Sequence, residues 1–246
     1  MKKILFLVFI ILNCWTSIAQ QWLIDNFTAQ PIELGTSLTS LSPALSKTRT
    51  INVYLPASYS KDTFTSYPVI YLVDGSLDED FINIARLVQF ATFSWAQLIP
   101  ESIVVGISNI DRKRDFTYPT KNSKDKIDFP TTGGSEKFIT YLEKELQPFI
   151  AKEYRVSDER MLIGQSLGGL LETEILWPKS HLFSKYVIVS PSLWWDDNSL
   201  LSRKRTPLKI GTKVFVAIGQ KGPIMEGAGL GLAASLISDI NIQNLL

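Results

Sequence analysis

One serine in this chain keeps the company that nucleophilic chemistry demands. Ser166 lies in Gly164-Gln165-Ser166-Leu167-Gly168, inside MLIGQSLGGLL at residues 161–171. An apolar, strand-like run precedes it and a helix-like run follows. Two glycines let the backbone turn sharply from strand to helix, so the serine oxygen projects at the strand tip above the helix N-terminus. Such a nucleophile elbow suits acyl transfer. A serine that merely caps the helix is the plainer alternative, but it leaves both glycines unexplained.

Acyl transfer also needs two N–H donors aimed at the developing oxyanion, one after the nucleophile and one from the loop after an earlier strand. Here those donors would be the amides of Leu167 and Ser76. In open α/β sheets ligands gather at the carboxyl ends of the strands. Three more segments therefore matter: Asp74-Gly75-Ser76, the loop from Asn109 to Asp115, and Ser190-Pro191-Ser192-Leu193-Trp194-Trp195. Each has a bland reading as well. Asp74-Gly75 also reads as a tight turn, Arg114 beside Asp115 as a surface pair, and the two tryptophans as a cover for the core.

Positioning these residues calls for alternating strands and helices. RTINVYLP (Arg49 to Pro56) alternates as a half-exposed strand, whereas PVIYLV (Pro68 to Val73) and SIVVGI (Ser102 to Ile107) are continuous apolar runs of central-strand type. Phe81, Ile84, Ala85, Val88 and Phe93 predict a helix from Asp80 to Leu98. Residues Asn109 to Thr132, polar and proline-punctuated, read as a long irregular excursion. Phe138, Tyr141, Leu142, Leu146, Phe149 and Ile150 share a helical face over Ser135 to Tyr154, with Pro148 bending the last turn. A strand Arg160 to Ile163, a helix Leu167 to Trp177, a strand Tyr186 to Val189 and a buried strand Lys213 to Ile218 follow. Leu232, Leu236, Ile237 and Ile240 suggest a final amphipathic helix. The rhythm predicts a mostly parallel sheet with helices on both faces.

The opening MKKILFLVFIILNCWTSIAQ reads as a secretory signal peptide cleaved after Ala19, its apolar run from Ile4 to Leu12 being too short for a membrane anchor. Secretion or a periplasmic location follows, lipidation at Cys14 being the lesser alternative. Residues 20–246 then form one domain. The chain holds 25 Lys and Arg against 24 Asp and Glu, and removing Lys2 and Lys3 leaves a near-neutral protein. That balance offers nucleic acid and anionic membranes nothing to bind. With a single histidine and its lone cysteine, Cys14, in the leader, no metal or cofactor is expected.

RTINVYLP, YPVIYLVDG, RKRDFTYP, FITYLEKELQPFI, LIGQSLGGL and SPSLWW occur in that order from about Arg49 to Gly219. In these segments the chain resembles the esterases of the α/β-hydrolase superfamily that include esterase D and the enterobactin esterases. The resemblance implies an α/β-hydrolase fold and hydrolysis of small-molecule carboxylic esters. It makes Ser166 the nucleophile and the amides of Ser76 and Leu167 the oxyanion hole. Asp74, Gly75, Arg112, Arg114, Trp194 and Trp195 would border the substrate cleft.

The family's general base is a histidine after one further strand, so this chain is expected to lack both that strand and the base. His181, the only histidine, lies about 15 Å down the following helix at 1.5 Å per residue and reads as a surface turn. The acid would fall after KVFVAIG, where Gln220 and Lys221 stand and Glu226 is the nearest carboxylate. A chain without its base would be nearly inert. The alternative is a non-catalytic ligand-binding relative. Siderophore esters, feruloyl or acetyl sugars and simple acyl esters all remain open as ligands.

Overall fold

Tyr, Val, Ile and Leu in unbroken series favour a pleated, two-sided environment, and each such run becomes a strand. The computed structural model describes residues 30–219 and 231–232. The chain divides into two units, Met1–Glu33 and Leu34–Leu246, and the elements that follow all belong to the second. In chain order they are β1 (Thr36–Ser42), β2 (Lys47–Tyr54), β3 (Tyr67–Val73), α1 (Phe81–Ala91), β4 (Ile103–Ile107), α2 (Arg112–Asp115) and α3 (Ser123–Asp128). Then come α4 (Ser135–Tyr141), a π-helical turn (Leu142–Leu146), α5 (Gln147–Glu153), β5 (Val156–Gln165), α6 (Leu167–Leu176), β6 (Lys185–Val189) and β7 (Lys213–Ala217).

The seven strands form one sheet in the order β1-β2-β4-β3-β5-β6-β7. β4, β3, β5, β6 and β7 run parallel, and β2 and β1 are added antiparallel at one side. Alternation along β3 shows how both faces are covered. Val69, Tyr71 and Val73 pack into one core with Leu170 and Ile175 of α6 and Leu142 and Leu146 of the π turn. Ile70 faces the other way, onto Phe81, Ala85 and Val88 of α1 and Val104 of β4. Each fully buried Val, Leu or Phe of this kind contributes roughly 1.5–3 kcal/mol.

Several expectations are revised. β1 has no counterpart among the expected strands, because its sequence TSLTSLS is polar and all but Ser42 remain at least partly exposed. β2 is buried over its last four residues rather than half-exposed. The helix expected to reach Leu98 ends at Ala91, and the Leu98 amide folds back onto the Ala91 carbonyl at 2.9 Å. Thr92 and Ser94, weak helix formers, mark the place where the chain turns to enter β4. β7, expected to be buried, is the edge strand among the described residues, and Phe215 is 61% exposed.

The bend at Pro148 is produced one turn earlier. Proline offers no N–H to the preceding turn, and the ladder widens ahead of it, with the Gln147 amide donating to Leu142 O five residues back. The extra residue rotates Phe149 off the apolar face, leaving it 40% exposed. The expected excursion after β4 is well organised. It carries α2 and α3 and buries Phe116, Thr117 and Tyr118. Its anchor is a buried ion pair: Arg49 of β2 bonds Asp115, and both side chains are 1% exposed. Gly231 and Leu232 are helical and Leu232 is buried; the rest of the expected last helix and the whole leader lie outside the described residues.

One core residue is out of keeping with its surroundings. Glu172 of α6 is fully buried, and neither of its carboxyl oxygens has a hydrogen-bond partner of good geometry. Burial pushes its pKa well above the usual carboxylate range, and the nearby amides of Gly164 and Val187 offset this only in part. The buried hydroxyl of Tyr186, also unpartnered, has its own pKa pushed up by burial and by Glu172. Glu172 is therefore held neutral in the folded state. A carboxyl whose folded pKa is raised stabilises fully below the unfolded value and loses that contribution as pH rises towards the folded one. Urea unfolding should thus show stability falling above about pH 4.5 by up to about 1.4 kcal/mol per pH unit. Glu172→Gln should flatten that slope and be the more stable protein at pH 7.

Candidate active site

The sheet order sets β4, β3, β5 and β6 side by side, so Asn109, Asp74, Ser166 and Ser190 emerge in a row along one edge. Ser166 occupies a conformation that side chains rarely adopt, φ 57° and ψ −113°, immediately before α6. Such backbone costs about 1–3 kcal/mol and persists only where its surroundings over-determine it. Here three main-chain bonds do so. The Ser166 amide donates to Val189 O at 3.0 Å, and its carbonyl accepts from Leu170 N at 3.0 Å and Ser192 N at 2.9 Å. The glycines allow the close approach, since a Cβ on Gly164 would stand 2.7 Å from the Gly168 carbonyl carbon.

The half-buried Ser166 hydroxyl meets the Ser192 hydroxyl at 3.1 Å. Ser192 itself is 1% exposed, so its partner is held by a fixed group rather than by a mobile one. Leu167, the first residue of α6, carries an amide that helix geometry leaves without an intrahelical acceptor.

The loop after β3 is as constrained as the elbow. Asp74 sits at φ 62°. A Cβ on Gly75 would lie 2.4 Å from Gly106 Cα. Asn52 donates to the Gly75 carbonyl at 2.8 Å. The Ser76 amide, the expected second oxyanion donor, is already engaged by Glu79 Oε2 at 3.1 Å. The contact is local: the Glu79 carboxylate reaches back three residues to the Ser76 amide, while the Glu79 amide donates to the Ser76 carbonyl at 3.1 Å.

Arg112 ties this loop to the elbow. Its Nε and Nη2 donate to the two oxygens of Asp74 at 2.6 and 2.8 Å, and Nη2 also reaches the Gln165 carbonyl at 3.0 Å. Asn109 adds bonds to Asp74 at 2.6 Å and Glu79 at 2.8 Å. Burial alone would lower the Arg112 pKa, but the bond and charge of Asp74 leave it raised. Bidentate guanidinium–carboxylate geometry of this kind fixes orientation as well as charge.

The remaining candidates separate. Arg114 directs its Nε and Nη2 to Asp115 Oδ1 at 2.8 and 2.6 Å, so it braces the Arg49–Asp115 pair. Trp195 is fully buried, with its indole N–H on the Tyr118 carbonyl at 2.9 Å. A buried indole must find an acceptor, and this one finds it inside the core, which removes its side chain from the cleft wall. Trp194 stays half-exposed, 5.7 Å from the Phe129 ring. His181 is exposed and lines a pocket at the opposite, N-terminal ends of β5 to β7. Glu226, with Gln220 and Lys221, lies outside the described residues. Glu79 and Ser192 are contributors that the sequence pattern alone does not single out as site residues.

The family model described as "Putative esterase" matches residues 42–227. The chain belongs to this esterase family. Ferri-bacillibactin esterase BesA of Bacillus subtilis is 31% identical over 182 residues, covering 69% of this chain. The chain spans 62% of the length of that relative. Among solved structures, an IroE-like serine hydrolase from Shewanella oneidensis aligns with TM-score 0.71 at 28% identity, over 84% of this chain and 70% of the other. The BES protein from Bacillus cereus aligns with TM-score 0.73 at 25% identity, over 87% and 86% respectively. The fold of this esterase-family chain is thus the mostly parallel α/β-hydrolase type.

The elbow's geometry is directly testable. Gly164→Ala forces its methyl against the first turn of α6, and the strand and helix cannot separate without breaking the Ser166 bonds. It should lower stability by about 1–3 kcal/mol or more, measured by urea denaturation, whereas Gly211→Ala, whose Cβ meets nothing within 4 Å, should cost less despite its positive φ.

Proposed function

We propose that this chain carries the acyl-transfer machinery of a serine carboxylic-ester hydrolase acting on small-molecule esters. The observation that carries the proposal is the strained Ser166 turn, lifted at the centre of the sheet edge beside the Leu167 amide at the start of α6. In the reaction the Ser166 oxygen attacks the ester carbonyl, the alcohol leaves with a proton, and water then cleaves the acyl-enzyme. The carbonyl oxygen, negatively charged in each tetrahedral intermediate, rests on the Leu167 amide. The Ser76 amide joins it once Glu79 releases that N–H. Donors of this type are worth roughly 10²–10³ in turnover each.

Relatives named for ferri-bacillibactin and apo-salmochelin hydrolysis support siderophore esters as the substrate class. Trp194 and Arg112 flank the approach, one half-exposed and one with its guanidinium partly open to solvent. The lysine-led, apolar N-terminus supports export to the periplasm or beyond, and among the described residues no helix is long and apolar enough to cross a membrane.

His181, the one histidine of the sequence, stands at the wrong end of the sheet to accept the Ser166 proton and is not the proposed base. Loss of the base alone reduces turnover about 10⁶-fold in serine hydrolases. A fluorophosphonate probe should therefore label the 246-residue chain very slowly. It should label a version extended by a histidine-bearing C-terminal segment rapidly, and Ser166→Ala should abolish that labelling. Extended chain that stays unlabelled, yet binds siderophore ester saturably with or without Ser166, would establish the non-catalytic reading instead.

A further inference from the structure

At the foot of the sheet, where β5, β6 and β7 begin, lies a cavity of about 260 Å³. Arg160, Lys185, Lys209 and Lys213 line it together with Asp158 and Glu159, an excess of two positive charges in a chain whose formal net charge is +1. His181 also borders it and faces Glu143 at 3.4 Å. Lys179 first and Lys144 next lower the Glu143 pKa to about 2, so Glu143 is ionised and its charge is shared between those two lysines.

The cations are crowded by the fold itself. Lys185 and Lys213 are direct neighbours across the parallel β6–β7 ladder, about 4.8 Å apart at the backbone. Like charges in that position destabilise a sheet. Main-chain bonds lock the arrangement: Ser184 N donates to Arg160 O at 2.8 Å and Lys213 N to Ser184 O at 2.9 Å. The turn closed by Thr212 N on Lys209 O at 3.0 Å, with Gly211 at φ 88°, swings Lys209 back over the same opening. Lys185 satisfies Glu159 at 2.8 Å, and Arg160 spends one donor on the neutral amide of Gln147 at 3.0 Å. Among the described residues no carboxylate pairs with Arg160, Lys209 or Lys213.

We infer that this cavity is a binding site for a phosphate-type oxyanion carrying two or more negative charges, separate from the esterase centre. A guanidinium and two ammonium groups lining one open cavity suit a compact, multiply charged oxyanion. The space is too small for a nucleic-acid strand, and the basic residues form a cluster rather than a stripe. Arg160 lies six residues before Ser166 on an extended strand, roughly 20 Å away, so occupancy here leaves the nucleophile untouched. The reading stands whether or not Ser166 is catalytic.

The test uses the full 246-residue chain. Inorganic phosphate, added against sodium chloride at matched ionic strength, should raise the thermal midpoint saturably, as a ligand of the folded state must. Calorimetric titration of Lys209→Gln/Lys213→Gln, both exposed positions, should show phosphate binding at least tenfold weaker. Lys209→Arg/Lys213→Arg should restore it, which separates charge from folding. Vesicles containing phosphatidic acid decide the source of the oxyanion. If they sediment the wild type but not the glutamine variant, the anion is a lipid headgroup; if they sediment neither, it is a free phosphate. Phosphate that acts no differently from chloride, or binding unchanged in the glutamine variant, overturns the inference.

Discussion

Everything at the candidate site depends on how closely β5 can approach the first turn of α6. Gly164 brings β5 closer to the Gly168 backbone than any side chain would permit, Gly168 does the same towards Val73 of β3, and Ser166 between them takes the positive φ. The surrounding bonds do not relieve the strain; they distribute it. Val189 holds the amide, Ser192 and Leu170 hold the carbonyl, and Arg112 holds the carbonyl one residue earlier. Preorganisation of this sort is what lets fixed dipoles act on developing charge without reorganising when it appears.

A second constraint is electrostatic. Asp74 and Arg112 are partners whose job is orientation: together they bind the β3 loop to the elbow across a strand boundary. Asn109 and Glu79 extend the same network, and through Glu79 it reaches the Ser76 amide. The loop proposed to supply an oxyanion donor is thereby held in shape by a carboxylate that engages the same amide. The Arg49–Asp115 pair does comparable work deeper down, fixing α2 to β2 where neither charge meets solvent. Removing one member of such a pair leaves a buried charge uncompensated.

How much of this is legible in the sequence follows the range of the forces involved. The elbow is readable because its glycines, serine and flanking periodicities lie within about ten residues. The central strands are readable because continuous apolar runs of that length, bounded by turn residues, fit little besides a buried strand. β1 escapes because an exposed edge strand needs no apolar face. Trp195 leaves the expected cleft wall because its burial depends on a carbonyl 77 positions away, which no local pattern records. Glu172 is invisible for the same reason: only the packed helix shows that a carboxyl in LLETEIL turns inward. The capture of Ser76 by Glu79 spans only three residues, yet a tight-turn reading of Asp74-Gly75 does not announce it.

Tyr118 and Trp195 bond reciprocally, the indole N–H to the Tyr118 carbonyl and the Tyr118 hydroxyl to the Trp195 carbonyl at 3.3 Å. Two loops distant in sequence are thereby latched into one rim, and the latch is symmetrical. Evolutionary drift in either loop is then answerable to the other. A deletion near Tyr118 would strand a core indole at a cost of about 1–3 kcal/mol, so neither segment can be reshaped without the other.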